Sequence, residues 1–201
     1  MKFWNKKFNP DGLTFVELLV AVAIISLILL GLVTLNTSGQ RYFITQSTRV
    51  DILRDGRYAL NWISRDIKEA IKVLSSWDIY ATSTSCLVLQ VPSVDANGLI
   101  IDIENDFDHV IYRLNPQYPS KLEKIVDGKD GVSSRVDDSR AIVESINSFL
   151  LSSEGVELSS VSDFSQVSNI DIALTTRQSR FGRAYRETFN TGVKLRNKSV
   201  N

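Results

Sequence analysis

From Leu13 to Leu35 the chain holds one ionisable residue, Glu17, in "LTFVELLVAVAIISLILLGLVTL". Those 23 residues, as a helix, would reach about 35 Å, enough for a hydrocarbon core of roughly 30 Å. A run of this kind fixes the first element as a membrane-crossing helix and leaves one expensive carboxylate to be explained. The preceding stretch "MKFWNKKFNPDG" carries Lys2, Lys6 and Lys7 against Asp11. By the positive-inside rule that short end stays in the cytoplasm, and whatever follows Leu35 lies outside. A secretory signal has a shorter apolar core closed by a small-residue cleavage site. Here "LVTLNTSGQRYF" follows instead, with no such site. An uncleaved signal anchor fits the length but gives Glu17 nothing to do.

"GLTFVELL" supplies the missing reason. A glycine, an apolar residue, then T-x-x-E ahead of an apolar run resembles the type IV prepilin motif. The resemblance implies a prepilin peptidase that cuts between Gly12 and Leu13 and N-methylates Leu13. Phenylalanine is the usual residue after the cut, and leucine here is a mild departure. Glu17 would then stand about 6 Å from the new amino terminus. A carboxylate at bilayer depth costs up to roughly 2.5–3.5 kcal/mol and normally faces a partner. The α-amino group of a neighbouring subunit suits it, which makes Glu17 an assembly residue.

No proline lies between Pro10 and Pro92, so nothing forces a break in the helix; Gly31, Gly39 and Gly56 are softer points. Polar residues begin at Asn36, and Leu53, Leu60, Ile63, Ile67, Ile71 and Leu74 recur at helical spacing. The helix is therefore expected to run to about Ser75. Tyr58 and Trp62 are expected to pack against the folded domain. Beyond Trp77 the texture is that of strands: "SCLVLQV", "GLIIDI", "DHVIYRL", "KLEKIV", "IVESINSFLL", "SNIDIALTT" and "ETFNTGVKL". Turn residues in "DANG", "NPQYP" and "DGKDG" separate several of them. One long helix followed by strands predicts an α+β fold, the helix laid on antiparallel sheet. Expected segments are a cleaved leader 1–12, a membrane and assembly helix 13–35, its amphipathic half 36–76 and a β-rich domain 77–201.

"RVDILRDGRYALNWISRDIKEA" (49–70) and "ETFNTGVKLRN" (187–197) are similar to the post-membrane helix and closing strand of PilW-type minor pilins and PulJ/GspJ-type minor pseudopilins. That resemblance implies a type IV pilin-like fold and a structural subunit of a pilus or type II secretion pseudopilus, in a tip or priming complex. Its partners would be the prepilin peptidase, other minor and major pilins or pseudopilins, and the inner-membrane assembly machinery.

Little else in the chain points to chemistry. Charge is balanced, 23 basic residues against 23 acidic, which argues against a dedicated nucleic-acid binder. Cys86 is the only cysteine and His109 the only histidine, so no internal disulfide or four-ligand Cys/His zinc site can form. Asp102, Glu104, Asp106 and Asp108, and the acidic "DGKDG" with Asp137 and Asp138, offer oxygen donors of the kind Ca²⁺ takes. Neither has EF-hand spacing, so no cofactor is expected, no calcium ligand is assigned, and the acids read as solvated turns and a charged edge. His109 beside Asp108 reads as a half-exposed strand histidine rather than a catalytic base, since strand neighbours face opposite ways. No P-loop, dinucleotide fingerprint, G-x-S-x-G or H-E-x-x-H occurs, and no catalytic residue is expected. "TTRQSRFGRAYR" (175–186), with four arginines, reads as a mobile loop between the last strands. The rival reading is a signal-anchored extracytoplasmic binding protein or enzyme that assembles into nothing.

Overall fold

The computed structural model describes residues 14–102 and 105–195. The fold is α+β, one long amino-terminal helix followed by antiparallel sheet. Helix α1 runs Phe15–Glu69 without interruption through Gly31 and Gly39. By contact density the chain forms two compact units, the first ending at Gln46 and the second beginning at Ser47.

In the first unit the apolar side chains are exposed all round the helix, as expected of a surface meant for lipid or for other helices. Two hydroxyls within the apolar run are satisfied locally. Ser26 Oγ donates to Val22 O at 2.7 Å and Thr34 Oγ1 to Leu30 O at 2.8 Å. Folding a hydroxyl back onto the i−4 carbonyl is what keeps it tolerable in a medium without water. This is a helix long and apolar enough to cross a membrane.

In the second unit the rest of α1 lies against two sheets. The first has the order β1 (Lys72–Val73), β4 (Cys86–Pro92), β5 (Phe107–Leu114), β6 (Leu122–Asp127), β7 (Asp138–Val143). The second has the order β11 (Arg183–Lys194), β10 (Asn169–Arg180), β8 (Ile146–Ser153), β9 (Val156–Glu157). A small hairpin, β2 (Ser76–Trp77) with β3 (Tyr80–Ala81), forms a separate two-stranded ladder. All the pairings are antiparallel.

The buried face of α1 is Ile52, Gly56, Ala59, Ile63 and Ile67, a three-four spacing that forms one stripe. Leu53 and Leu60 flank that stripe instead of centring it. Gly56 is there for space: the ring of Phe189 on β11 lies where a Cβ would go. β10 alternates Ile170, Ile172, Leu174 and Thr176 inward along its length, the period of a strand with one face in the core. β4 is buried on both faces, Gln90 included. Leu87, Leu89 and Val91 join the main core, while Val88 is enclosed on the other side, where Thr82 Oγ1 accepts from its N–H at 3.1 Å.

Three expectations need correction. The helix ends at Glu69, not near Ser75, because the backbone finds a better partner: Ile71 N–H donates to Gln90 O and Leu74 N–H to Val88 O. Ile71 and Leu74 therefore flank the short strand β1 and extend no helical face. Among its described residues "GLIIDI" makes only an isolated bridge, Val94 with Ile100. The Asp95 carboxylate takes the N–H groups of Asn97 and Leu99 at 2.8 and 2.9 Å, a side-chain turn that competes with strand pairing. "IVESINSFLL" is two strands, β7 and β8, which turn between the sheets at Glu144–Ser145.

Candidate assembly site and the buried polar clusters

Glu17 opens the helix. Thr14 N–H donates to Glu17 Oε2 at 2.8 Å and Thr14 Oγ1 donates to the same oxygen at 2.9 Å, while Glu17 N–H reaches back to Thr14 Oγ1 at 3.3 Å. Leu18 N–H closes the first turn on Thr14 O. This is a reciprocal capping box, in which a Thr at the cap and a Glu three residues on satisfy each other's orphan donors. The carboxylate thus has a use within its own chain that the motif reading passed over. The signal was present, since T-x-x-E ahead of an apolar run is also a helix-start pattern. Both residues are exposed, so the cap leaves the carboxylate open to a neighbour. Gly12 and Leu13, the expected cleavage and methylation positions, lie outside the described residues, as do the leader and Glu104.

The second unit hides two ionic clusters. In one, Asp66 of α1 is 3% exposed and takes the phenol of Tyr112 (β5) at 2.6 Å, the ammonium of Lys124 (β6), and Arg65 Nε at 3.4 Å. Trp62 roofs it, with Arg65, Lys124 and Arg140 cations 4.2, 4.6 and 5.0 Å from its ring. Tyr58 meets the Trp62 ring edge-on at 6.0 Å. Trp62 thus packs against the folded domain as expected, whereas Tyr58 is 49% exposed and meets Trp62 of its own helix. Burial pushes the Lys124 ammonium pKa down although Asp66 pulls it up, and burial together with Asp66 pushes the Tyr112 phenol up. The phenol therefore stays a donor.

The second cluster is built on Asp108, which is fully buried and so is no solvated acid. It accepts from Ser93 Oγ (2.7 Å), Lys129 N–H (2.9 Å), Ser133 Oγ (2.7 Å) and Arg135 Nη1 (2.9 Å). Burial alone would raise its pKa, but these donors outweigh it and hold the carboxyl below the usual range. Asp106 pairs with Lys129. The acid-rich stretch thus serves to pin the 128–135 loop to β5. Among the described residues no three of His, Cys, Asp and Glu converge as a metal cage.

His109 departs from expectation too: it is buried and stacks on Trp77, ring centroids 3.4 Å apart and planes 11° from parallel. Trp77 Nε1 donates to Asp127 at 2.6 Å, fixing the indole. Among the described residues no hydroxyl nucleophile is joined to the imidazole, and Asp108 is committed elsewhere. Burial depresses the His109 pKa below its ordinary 6.5, against the pulls of Asp127 and Asp108 and with a small push from Lys72. A histidine kept neutral in the fold stabilises it above the unfolded pKa and loses that contribution as the pH falls through it. The domain should therefore weaken as pH drops from about 7 to 5, before carboxylates titrate. Because His109 is the only histidine, urea midpoints across that range should flatten in His109→Gln. An equal slope in the variant would assign the effect elsewhere. Cys86 is a half-buried thiol whose pKa burial lifts to about 11, so it is unreactive near neutrality.

The segment 175–186 is not a loop. It forms the arms of the β10–β11 hairpin, paired from Asn169 with Lys194 to Arg180 with Arg183.

Among known families, a model described as the prokaryotic N-terminal methylation motif matches residues 8–33. The match spans the Thr14–Glu17 cap and the apolar helix and stops before the β-rich part. No curated protein and no solved structure matches the chain.

Proposed function

We propose that the chain is a membrane-anchored minor subunit of the type IV pilin-like kind, processed at Gly12 and assembled into a filament. The motif match over residues 8–33 carries the reading. The Thr14 cap supports it, because the helix begins at Phe15 with only Leu13 and Thr14 between it and the proposed cut. Prepilin peptidase cleaves between Gly12 and Leu13 on the cytoplasmic face and methylates Leu13. The short amino terminus is cytoplasmic and the domain beyond the membrane faces the periplasm or the outside. Glu17 pairs with the amino terminus of a neighbouring subunit, so that docking in one register relieves its cost in lipid. The likeness of 49–70 and 187–197 to PilW-type and PulJ/GspJ-type subunits favours a minor role, in a tip or priming complex. The work of such a subunit is assembly, with no catalytic step.

Mass spectrometry of the protein extracted from membranes tests this reading. The expected mature chain starts at N-methyl-Leu13 and has lost Lys2, Lys6, Lys7 and Asp11, leaving 20 basic and 22 acidic side chains. Gly12→Val should leave the precursor intact in the membrane. A wild-type leader retained in cells with active peptidase would refute the proposal and favour the signal-anchored alternative.

A further inference from the structure

Leu87, Leu89 and Val91 of β4 face the main core, so Gln90 between them points to the other side of the first sheet. Gln90 pairs across the ladder with His109 on β5, and His109 with Asp127 on β6. The three side chains therefore stand in one row on the outer face of that sheet. Gln90 and His109 are each 7% exposed. Neither side chain makes a hydrogen bond to another described residue, which is unusual for buried polar groups. Yet among the described residues every side-chain nitrogen or oxygen sealed from solvent has a partner. The amide and the imidazole are thus not walled in. They open onto a cavity of about 540 Å³.

That volume is in the range of small-molecule sites. Trp77 and Phe107 give the cavity aromatic walls. The indole is held in place, stacked on His109 and bonded to Asp127, so the walls are preorganised. Lys129 lies at the rim, but its ammonium is committed to Asp106 and, at 3.1 Å, to Asn105 O. The other charged groups lining the cavity are the carboxylates of Asp127 and Asp130.

The donors and acceptors select the ligand. A primary amide carries N–H donors and a carbonyl acceptor, and a neutral imidazole carries one of each. Burial keeps His109 neutral at pH 7. An anion would use the donors, leave both acceptors bare and meet two carboxylates. A cation would suit the carboxylates and leave the amide and imidazole N–H groups unpaired. A peptide turns its N–H and C=O to opposite sides of each amide plane, so it would serve one of the two neighbouring side chains at a time. Adjacent hydroxyls on a saturated ring both donate and accept, and the C–H face of such a ring lies flat against an aromatic wall.

We propose that this cleft binds a neutral sugar, a pyranose ring seated against Trp77 and Phe107 with its hydroxyls bonded to Gln90 and His109. Asp127 accepts a further hydroxyl at the end of the row. The aromatic walls supply contact area, and the buried amide and imidazole reject a ligand of the same shape that lacks hydroxyls.

The experiment uses the full chain in a detergent without a sugar headgroup, its histidine labelled with nitrogen-15. His109 is the only histidine, so one imidazole reports on the site. Methyl β-glucopyranoside, methyl β-galactopyranoside and the 4-linked disaccharide of N-acetylglucosamine are titrated separately. At least one should shift the imidazole signals saturably and receive magnetisation on its ring C–H protons from the aromatic protons of the protein. The first two sugars carry hydroxyls alone and the third an acetamido group, so the responder separates a hexose source from an amino-sugar source. Gln90→Leu should weaken binding about tenfold or more, the worth of one or two hydrogen bonds. It should do so without lowering the urea midpoint, because the Gln90 side chain gives up no partner within the fold; Gln90→Met repeats the test with an unbranched side chain. The wild-type titration decides even where neither variant folds. An imidazole unmoved by all three sugars at millimolar concentration, or a folded Gln90 variant that binds as well as wild type, would overturn the proposal. So would a response to a capped dipeptide amide or to inorganic phosphate where no sugar gives one. The cleft lies in the second unit, outside residues 8–33, so processing at Gly12 succeeds or fails independently of it.

Discussion

Asp66→Ala is expected to destabilise the β-rich domain by roughly 3–5 kcal/mol, because it strands a buried ammonium. Lys124 is 6% exposed and Tyr112 fully buried, and both send their donors to Asp66. Without the carboxylate the ammonium must deprotonate, drag water inward or unfold its strand, and the phenol loses its acceptor. The loss falls where α1 meets β5 and β6, so helix and first sheet should part together. Cys86 on β4 offers a readout: it is the only cysteine, and pulsed thiol labelling under increasing urea reports opening of that sheet. The informative control removes the whole cluster. Asp66→Leu with Lys124→Met and Tyr112→Phe replaces a paired charge by apolar packing, a change that is often neutral or stabilising. The triple variant should recover most of the loss. If Asp66→Ala unfolds at the wild-type urea concentration, the cluster contributes nothing to holding helix and sheet together. If the triple variant is as weak as the single one, the penalty is lost packing and not the stranded charge.

How much of this was legible beforehand follows from which forces act locally. The apolar run is written in consecutive residues, so the first helix is legible in the sequence alone. β10 announces itself by alternation, Ile170, Ile172 and Leu174 all facing inward. The helix end was misplaced because Ile71 and Leu74 fit a helical period, and only β4, some fifteen residues on, shows that their N–H groups pair elsewhere. "GLIIDI" has strand composition, yet Asp95 takes the N–H groups that would start a ladder, a choice made by one side chain. The arginine segment reads as a loop, yet it is the end of a hairpin whose backbone pairs through twelve registered positions, and its four arginines are exposed. Buried ionic clusters escape a sequence reading for a plainer reason. Asp66 and Lys124 are 58 residues apart, and Asp108 differs from its acidic neighbours only in the donors the folded loops bring to it. The capping box was legible and was missed, since the same four letters, Thr-Phe-Val-Glu, serve the cleavage motif.

That double duty shapes the prediction for Glu17. Glu17→Ala is expected to leave membrane insertion and cleavage at Gly12 intact, and to cut recovery of the subunit from sheared filaments or from complexes with its partners. Two losses are folded into that variant. The cap disappears, which frays the first turn and costs about 1 kcal/mol, and the charge available to a neighbour's amino terminus disappears as well. Gln separates them. A glutamine three residues after the cap closes a capping box as glutamate does, so Glu17→Gln keeps the Thr14 N–H and hydroxyl satisfied while carrying no charge. Thr14→Val is the reciprocal change, removing the hydroxyl of the cap and keeping the carboxylate. If Glu17 works by pairing with a cation, Gln should fail at incorporation nearly as badly as Ala, and Thr14→Val should assemble. If its work is only to start the helix, Gln should assemble normally and Thr14→Val should share the defect of Ala. The membrane itself pulls the other way: losing the charge eases residence in lipid by up to roughly 3 kcal/mol, so abundance of the unassembled subunit in the membrane should not fall in either Glu17 variant. A drop in membrane abundance that matches the drop in filaments would show that the variants fail before assembly, and would remove Glu17 from the docking step.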